Sequence, residues 1–320
     1  GDARFGYGGD AVGGGIYIAC GDLLCAHLVV TGTRIAVNRA TGGVGYEDYY
    51  VNFDGEGAGG GILNAGRLAL ADTTIYANKA RRGGGVSNIC GDAVCGEISG
   101  RRVHFIGNQA RTENIWGAFA GGLSNQGLVA LQDSEIIQNL SSGPPCFIEF
   151  TDAGHYAGVF NSGVMTLTRT LIADNQGFDG CLGHPYGVVE SRGGGVANAQ
   201  GQLALHNVVV TENRAAVGAG IYQREGGDTW LENSIVMSNR GHFCVGICNQ
   251  SGRMTIAKVT VSHNQAIGRN SGRGREDADG AGVWNGDQME VMQANIHANS
   301  GVVNDGFYPS AFGGGIYNRG

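Results

Sequence analysis

The chain contains 320 residues, including 60 Gly and 4 Pro, with 42% apolar residues, 15% charged residues and a net charge of −7. The apolar fraction is too high and the charge too low for a disordered chain, and the glycines follow no three-residue period, which excludes collagen. The sequence has no apolar run of about 18 residues and no basic stripe, so we expect neither a transmembrane helix nor a nucleic-acid partner.

Two short elements alternate along the sequence. One is a glycine cluster that leads into an apolar residue and often ends on Asn, as at 59–64 and 193–198. The other is an apolar residue three positions before an Asn. Stacked Asn amides can hydrogen-bond to one another, and Asn tolerates the left-handed conformation of a tight corner. We therefore predict a structural Asn ladder in which each Asn bends the chain at a corner. Its nine residues are Asn38, Asn78, Asn108, Asn139, Asn175, Asn213, Asn239, Asn264 and Asn299.

The segments between these elements alternate apolar and polar residues, as at 68–70 and 203–205, which is typical of strands with one buried face. The shortest repeats have about 25 residues, too few for two parallel strands joined by a crossover helix. The repeats therefore predict an all-β protein, a right-handed parallel β-helix of about nine coils that forms a single domain over residues 1–320.

The charged residues provide a check on this stacking. If equivalent positions lie above one another, Asp72, Arg102, Asp133 and Arg169 follow one another in adjacent coils. Opposite charges on neighbouring strands attract each other. We therefore expect ion pairs along this column.

The paired elements resemble the GGxI and FxxN repeats of polymorphic outer-membrane proteins and the related β-helix repeats of large secreted bacterial proteins. Residues 105–108 match FxxN literally, whereas the other copies carry mainly Ile or Val in place of Phe. The resemblance covers about 13–318. It implies a right-handed parallel β-helix that is exported and displayed at a cell surface, and it supplies no catalytic motif.

Eight cysteines without a C-x-x-C pair favour disulfides over a metal site. Cys20 and Cys25 enclose a Gly-Asp turn, and Cys90 and Cys95 enclose a second copy of it. Each pair is expected to form a local disulfide. Disulfides persist in oxidising compartments, so we expect a secreted or cell-surface, extracytoplasmic protein.

The other four cysteines are less regular. Cys146 and Cys181 lie in the insertions of adjacent coils, and a bridge would join the two insertions. Cys244 and Cys248 would have Cα atoms about 13 Å apart in an extended strand, beyond the limit of about 7 Å for a disulfide. Either the chain bends between them or they pair with other cysteines, and we predict the local pair.

Extra length falls mostly between each Asn and the next glycine cluster. Stacking would bring these insertions to one edge, where binding surfaces commonly form. Their aromatic and acidic residues could contact a glycan or a surface protein, or they could pack the insertions onto the coils. The candidate contact residues are Tyr46, Tyr49, Tyr50, Trp116, Phe147, Phe150, Tyr156, Tyr186, Phe307 and Tyr308.

Three functions remain open. The first is a structural and adhesive element at a cell surface or outside the cell. The second is a polysaccharide lyase or glycoside hydrolase, which would need paired carboxylates. The third is a subunit of a head-to-tail filament, because neither end shows a capping unit, and we expect a longer chain or a stacked assembly. The candidate catalytic residues of the second function are Glu149, Asp152, Asp179 and His184.

No metal site or cofactor is expected from the sequence. The acidic run at 275–280 leaves Ca²⁺ as the one alternative, although it lacks the ligand spacing of an EF-hand.

Overall fold

The structure is a computed structural model that describes residues 10–20, 25–42, 47–48, 51–52, 57–91, 94–111, 118–142, 156–177, 191–268, 278–303 and 313–319. Within these ranges the chain forms strands and turns and no helix, so no helix there could cross a membrane. Consecutive repeats pair in register as parallel strands. The prediction of an all-β parallel β-helix is therefore confirmed.

The glycine clusters lead into one sheet, here called the glycine sheet. The glycines are required by close packing. A Cβ on Gly85, for example, would lie 2.6 Å from the carbonyl oxygen of Gly122 and 3.1 Å from Cγ of Asn108. The ten parallel strands of this sheet are Ile16–Ile18, Ile62–Asn64, Val86–Asn88, Leu123–Asn125, Val159–Asn161, Val196–Ala199, Ile221–Arg224, Ile247–Asn249, Val283–Asn285 and Ile316–Asn318.

The alternating segments form a larger sheet of sixteen strands with two limbs. Two strands, Arg67–Tyr76 and Glu97–Ile106, run through both limbs. The remaining strands of the first limb are His27–Thr31, Leu128–Gln132, Val164–Thr168, Gln202–His206, Gly227–Glu232, Gly252–Ala257 and Gln288–Met292. The remaining strands of the second limb are Arg34–Ala36, Glu135–Ile137, Leu171–Ala173, Val209–Thr211, Ile235–Met237, Thr260–Ser262 and Asn295–His297.

Short strands complete the described part of each coil. Ala11–Val12 pairs with Gly57–Ala58 in parallel, and Glu47–Asp48 pairs with Val51–Asn52 in the one antiparallel strand pair of the described ranges. The strands that follow the predicted Asn residues form two small parallel sheets. They are Lys79–Ala80, Gln109–Arg111, Leu140–Ser142 and Gln176–Gly177 in one sheet, and Arg240–Gly241, Gln265–Gly268 and Ser300–Val303 in the other.

One hydrophobic core runs through the stack between the glycine sheet and the two-limbed sheet. Alternate residues of the strands point into it. In one coil these are Leu68, Leu70 and Ile75, which are at most 3% exposed, and the next coils place Val103 and Phe105 beside them. This alternation is the period-2 pattern of the sequence.

The nine predicted Asn residues form a continuous ladder, here called the first ladder. The backbone N–H and the Nδ2 of each Asn both donate to Oδ1 of the next Asn, at 2.9–3.1 Å at every step. From Asn78 onwards, Nδ2 also donates to the carbonyl oxygen of the apolar residue three positions before the preceding Asn. That third bond explains the fixed spacing between the apolar residue and the Asn.

The corner itself is built differently from the prediction. The left-handed residue is the one before each Asn, such as Val37 (φ 59°), Ala77 (φ 52°) and Gln138 (φ 57°), and the Asn residues are not left-handed. The expectation that Asn supplies the bend was therefore wrong. The backbone N–H of each Asn has to point along the stack to reach the next Oδ1, so the chain turns one residue earlier.

A second ladder, which is not predicted from the sequence, lies at the ends of the glycine-sheet strands. Six Asn-to-Asn bonds of 2.7–2.9 Å connect Nδ2 of one coil to Oδ1 of the next. Gln223 takes the place of Asn in one coil. Its Nε2 donates to Asn249, but its buried Oε1 has no partner among the described residues, and Asn198 donates to Thr229 instead. The longer side chain therefore interrupts this ladder.

The alternating charged column also forms as expected. Arg102 donates two hydrogen bonds to the carboxylate of Asp72. In the same way, Nε and Nη2 of Arg169 donate to Oδ1 and Oδ2 of Asp133, at 2.6 and 3.2 Å. The hydrogen bond from each arginine lowers the pKa of its aspartate partner. These pairs lie at the exposed bend between the limbs, so they set local register more than overall stability.

Three disulfides join close neighbours in sequence: Cys20–Cys25, Cys90–Cys95 and Cys244–Cys248. Cys244 adopts a left-handed conformation with φ 58°, and this bend brings its Cα within 5.3 Å of that of Cys248. The local pairing is confirmed, and the bend explains why the extended-strand distance does not apply. Cys146 and Cys181 lie outside the described residues, so their bridge stays a prediction.

The first ladder predicts a large effect of a single substitution. Asn139→Ala removes the acceptor of two bonds from Asn108 and the Nδ2 that donates to Asn175 and to the carbonyl of Phe105, all of them buried, whereas the backbone N–H that also donates to Asn175 stays. We expect a loss of about 3 kcal/mol or more in the free energy of unfolding, measured in urea. Asn295→Ala, at an exposed strand position, is the control, with an expected change within about 0.5 kcal/mol. Equal effects would contradict the ladder's role.

Candidate functional site

The insertions leave and rejoin the stack along one edge. The strands from which several insertions depart pair in register, for example Gln109–Arg111 with Leu140–Ser142. The points of return are also stacked, because Arg82 pairs with Phe119 and Phe119 pairs with Tyr156. The predicted edge of insertions is therefore present in the described residues that flank them.

A second apolar cluster covers the outer side of the glycine sheet, outside the coil. We call it the outer aromatic cluster. Its buried members are Tyr156, Ala197, Ala216, Val217, Tyr222, Cys244, Cys248 and Trp284, and its half-buried members are Phe119, Phe160, Phe243 and Tyr317. Phe119, Tyr156 and Phe243 come from the chain that returns from the edge, so the cluster fastens the ends of the insertions to the sheet.

Tyr156 is the one candidate contact residue of the insertions that the structure describes, and it lies in the outer aromatic cluster. Its ring centroid lies 4.7 Å from that of Phe160 and 5.9 Å from that of Phe119, and its side chain is fully buried. Burial raises the pKa of Tyr156 to about 12, and its hydroxyl has no hydrogen-bond partner among the residues that the structure describes. This aromatic therefore packs the edge instead of facing a ligand, which is the packing role left open for the insertion aromatics.

The other candidate residues of the insertions are not among the described residues. They remain predictions. The contact candidates are Tyr46, Tyr49, Tyr50, Trp116, Phe147, Phe150, Tyr186, Phe307 and Tyr308, and the catalytic candidates are Glu149, Asp152, Asp179 and His184.

The outer face of the first limb carries a long furrow that is not predicted from the sequence. Its floor is the middle outward-facing column of nine consecutive strands. Eight strand spacings of about 4.8 Å give it a length of about 38 Å. Two grooves of about 380 and 660 Å³ make up the furrow and share Thr166. The floor residues are Val29, Ala69, Ser99, Ala130, Thr166, Ala204, Trp230, Thr255 and Glu290.

The furrow arises from the sizes of side chains in adjacent columns. Most floor residues are small. The column on one side carries mostly longer side chains, whereas the column on the other side mixes long residues such as Arg101 with small ones such as Ala71 and Ala257. Arg67 and Glu97 on one wall form an ion pair at 3.6 Å, and Arg101 on the other wall lies 3.4 Å from Asp133. Because every column repeats at one strand spacing, a low column between two higher ones becomes a continuous channel.

Trp230 is the one large aromatic residue on the floor. It is 43% exposed and lies between Ala204 and Thr255 of the adjacent strands. Among the residues that the structure describes, no aromatic ring or guanidinium group stacks on the indole. The sequence contains the evidence for this site, a Trp at a position where the adjacent coils carry small residues. It can be recognised only when the register of the coils is known.

A polar groove of about 560 Å³ lies at the corner beside the first ladder. Arg214 and Arg240 are neighbours there on adjacent coils, and Glu212 and Asp174 lie on the other side of the ladder. Charges of both signs line this groove, so it shows no preference for one class of ligand.

Metal ligands are not grouped in the part of the chain that the structure describes. No cluster of three or more His, Cys, Asp or Glu side chains suited to a metal ion occurs there. Of the acidic run at 275–280, the alternative Ca²⁺ site, residues 275–277 with Glu276 and Asp277 lie outside the described residues, whereas Asp279 is described.

No protein-family model, no curated protein and no solved structure matches this chain. The parallel β-helix is therefore established by the strand register and the ladders. The resemblance to polymorphic outer-membrane proteins rests on the repeats themselves.

The buried hydroxyl of Tyr156 leads to a prediction. Tyr156→Phe keeps the ring and removes a buried hydroxyl that has no hydrogen-bond partner in the described part of the chain, so we expect the free energy of unfolding at pH 7 to stay equal or to rise by about 1 kcal/mol. The raised pKa favours the protonated folded state. Wild type should therefore lose stability as the pH rises from about 10 towards 12, and the variant should lose less.

Urea unfolding at several pH values tests this expectation. Tyr156→Ala serves as the contrast, because loss of the ring leaves a cavity and costs about 3 kcal/mol or more. A Tyr156→Phe variant as unstable as Tyr156→Ala at pH 7 would show that the hydroxyl has a partner.

Proposed function

We propose that this protein is a secreted or cell-surface β-helix that serves as a structural and adhesive element. Its insertion edge makes the contacts. The observation that carries this proposal is the outer aromatic cluster, which fixes the chain returning from the insertions onto the glycine sheet. A binding surface on a rigid support loses less conformational entropy when it meets its partner.

The disulfides support an extracytoplasmic location. Three pairs close loops between residues only four or five positions apart. Disulfides of this kind persist in oxidising compartments and are rare in the cytosol. The two ladders add many buried hydrogen bonds to the interior of the stack, which suits a protein that functions as a stiff support.

The test is a binding screen that also detects products. The full chain is offered to immobilised glycans and extracellular matrix proteins, and soluble glycans are analysed for chain length after incubation. We expect saturable binding without shortening of any glycan. Depolymerisation would favour the polysaccharide-degrading enzyme instead, and failure to bind any member of the panel would contradict the proposal.

A paired variant tests whether the edge makes the contact. Replacing Tyr49 and Tyr50 by Ser removes two insertion aromatics, and we expect binding to weaken by about tenfold or more, as for loss of aromatic anchors in other interfaces. Tyr76→Ala removes a partly exposed aromatic of the second limb, and it should leave binding to the panel within about twofold of wild type. Equal binding by all three proteins would place the contact elsewhere.

A further inference from the structure

We infer that the furrow is a second binding site, which takes a linear, uncharged polysaccharide chain with one sugar ring stacked on Trp230. This goes beyond the adhesive function, because it places a ligand on the outer face of the first limb and identifies its chemistry. The site lies in the part of the furrow with a volume of about 660 Å³.

The first reason is the solvent exposure of the Trp230 indole. Exposure of a large apolar side chain costs free energy. The other described tryptophan, Trp284, is only 6% exposed within the outer aromatic cluster. Tyr76 is 37% exposed with the guanidinium of Arg34 over its ring at 4.8 Å, and Tyr17 is 54% exposed. Trp230 has only Ala204 and Thr255 beside it on the floor. An exposed indole between small residues offers a flat apolar surface for a flat ligand.

The second reason is the polar groups around the indole. On one side, Arg253 lies 3.2 Å from Asp228, and on the other side, His206 lies 3.5 Å from Glu232. These contacts orient the carboxylates of Asp228 and Glu232, which lie two residues before and two residues after Trp230 on the same strand. Carboxylate oxygens that accept one bond retain capacity for more, so they can accept bonds from hydroxyl groups. An apolar platform between hydroxyl-binding groups matches a sugar ring, which has apolar faces and a polar rim.

The third reason concerns charge and shape. Near Trp230 the groove is lined by two acids and one arginine, and Arg253 is already paired with Asp228. Glu290 forms no ion pair with any residue that the structure describes. The excess of negative charge disfavours acidic sugars. The furrow continues past Trp230 in both directions, which accommodates a chain and not only a single sugar.

The experiment measures binding of soluble hexasaccharides to the full protein by calorimetry. The probes are the hexamers of β-1,4-linked glucose, mannose and xylose, together with hexagalacturonate as the acidic comparison. We expect at least one neutral hexamer to bind more tightly than hexagalacturonate. Tighter binding of hexagalacturonate, or no binding of any neutral hexamer to wild type, would overturn the inference.

Variants locate the site. Trp230→Ala should weaken binding of the neutral hexamer by about tenfold or more, whereas Tyr76→Ala should stay within about twofold of wild type. Ala204→Arg fills the furrow but leaves the indole in place, and it should also abolish binding. Trp230→Phe, which keeps a smaller ring, should bind with intermediate affinity and shows that a loss in Trp230→Ala does not come from misfolding.

The outcomes separate the two proposals. If Trp230→Ala binds as wild type does, the furrow inference is wrong, and the adhesive function of the insertion edge is untouched. If the Tyr49 and Tyr50 variant loses matrix binding but keeps the hexamer, both sites exist independently. If that variant and Trp230→Ala lose the hexamer to the same extent, the two surfaces form one site, and the inference of a second site is wrong.

Discussion

The constraint on which this structure depends is the vertical registration of one backbone turn on the next. The first ladder imposes it with two hydrogen bonds between successive Asn residues at every step, and the donors and acceptors fit only when the coils are in register. A slip of one residue would turn each strand over, exposing side chains such as Leu68 and Phe105. The polar ladder and the apolar core therefore select the same alignment.

Registration also determines what the surface can become. Because each outward position repeats at one strand spacing, a choice of residue type in one column becomes a continuous feature of the surface. Alternating charges give the ion-paired column at Asp72 and Arg102, and small residues give the furrow. Larger apolar residues on the outer side of the glycine sheet give the outer aromatic cluster. The interior has little freedom to vary, whereas the columns of the outer face can change without disturbing it.

Much of the fold could be predicted from the sequence because the repeats carry the physical requirement directly. The apolar residue and the Asn keep a constant spacing because the carbonyl of one coil accepts a bond from the Asn of the next. The position of the bend could not be derived in this way, since it depends on the direction of the backbone N–H. The Asn residues of the second ladder are also regularly placed, but they end the glycine element itself, so the sequence does not distinguish them as a separate ladder.

The site was harder to predict than the fold. Tyr156 looks like the other insertion aromatics in sequence, and only the packing of Phe119 and Phe160 around it shows that it is buried. Trp230 lies in a strand that alternates buried and exposed residues like its neighbours. Its exposure becomes informative only when the small residues of neighbouring coils are known to lie beside it. Both cases depend on contacts between residues that are distant in the chain.

The most direct test of vertical registration is hydrogen exchange at the backbone amides of the ladder residues, resolved by NMR. Amides bonded to Oδ1 of the next coil, such as those of Asn108, Asn139 and Asn175, should exchange only through global or near-global unfolding, and their protection should be similar along the ladder. Exchange of these amides at the rate of exposed turns would show that the asparagines do not touch, and the account of the fold would be wrong.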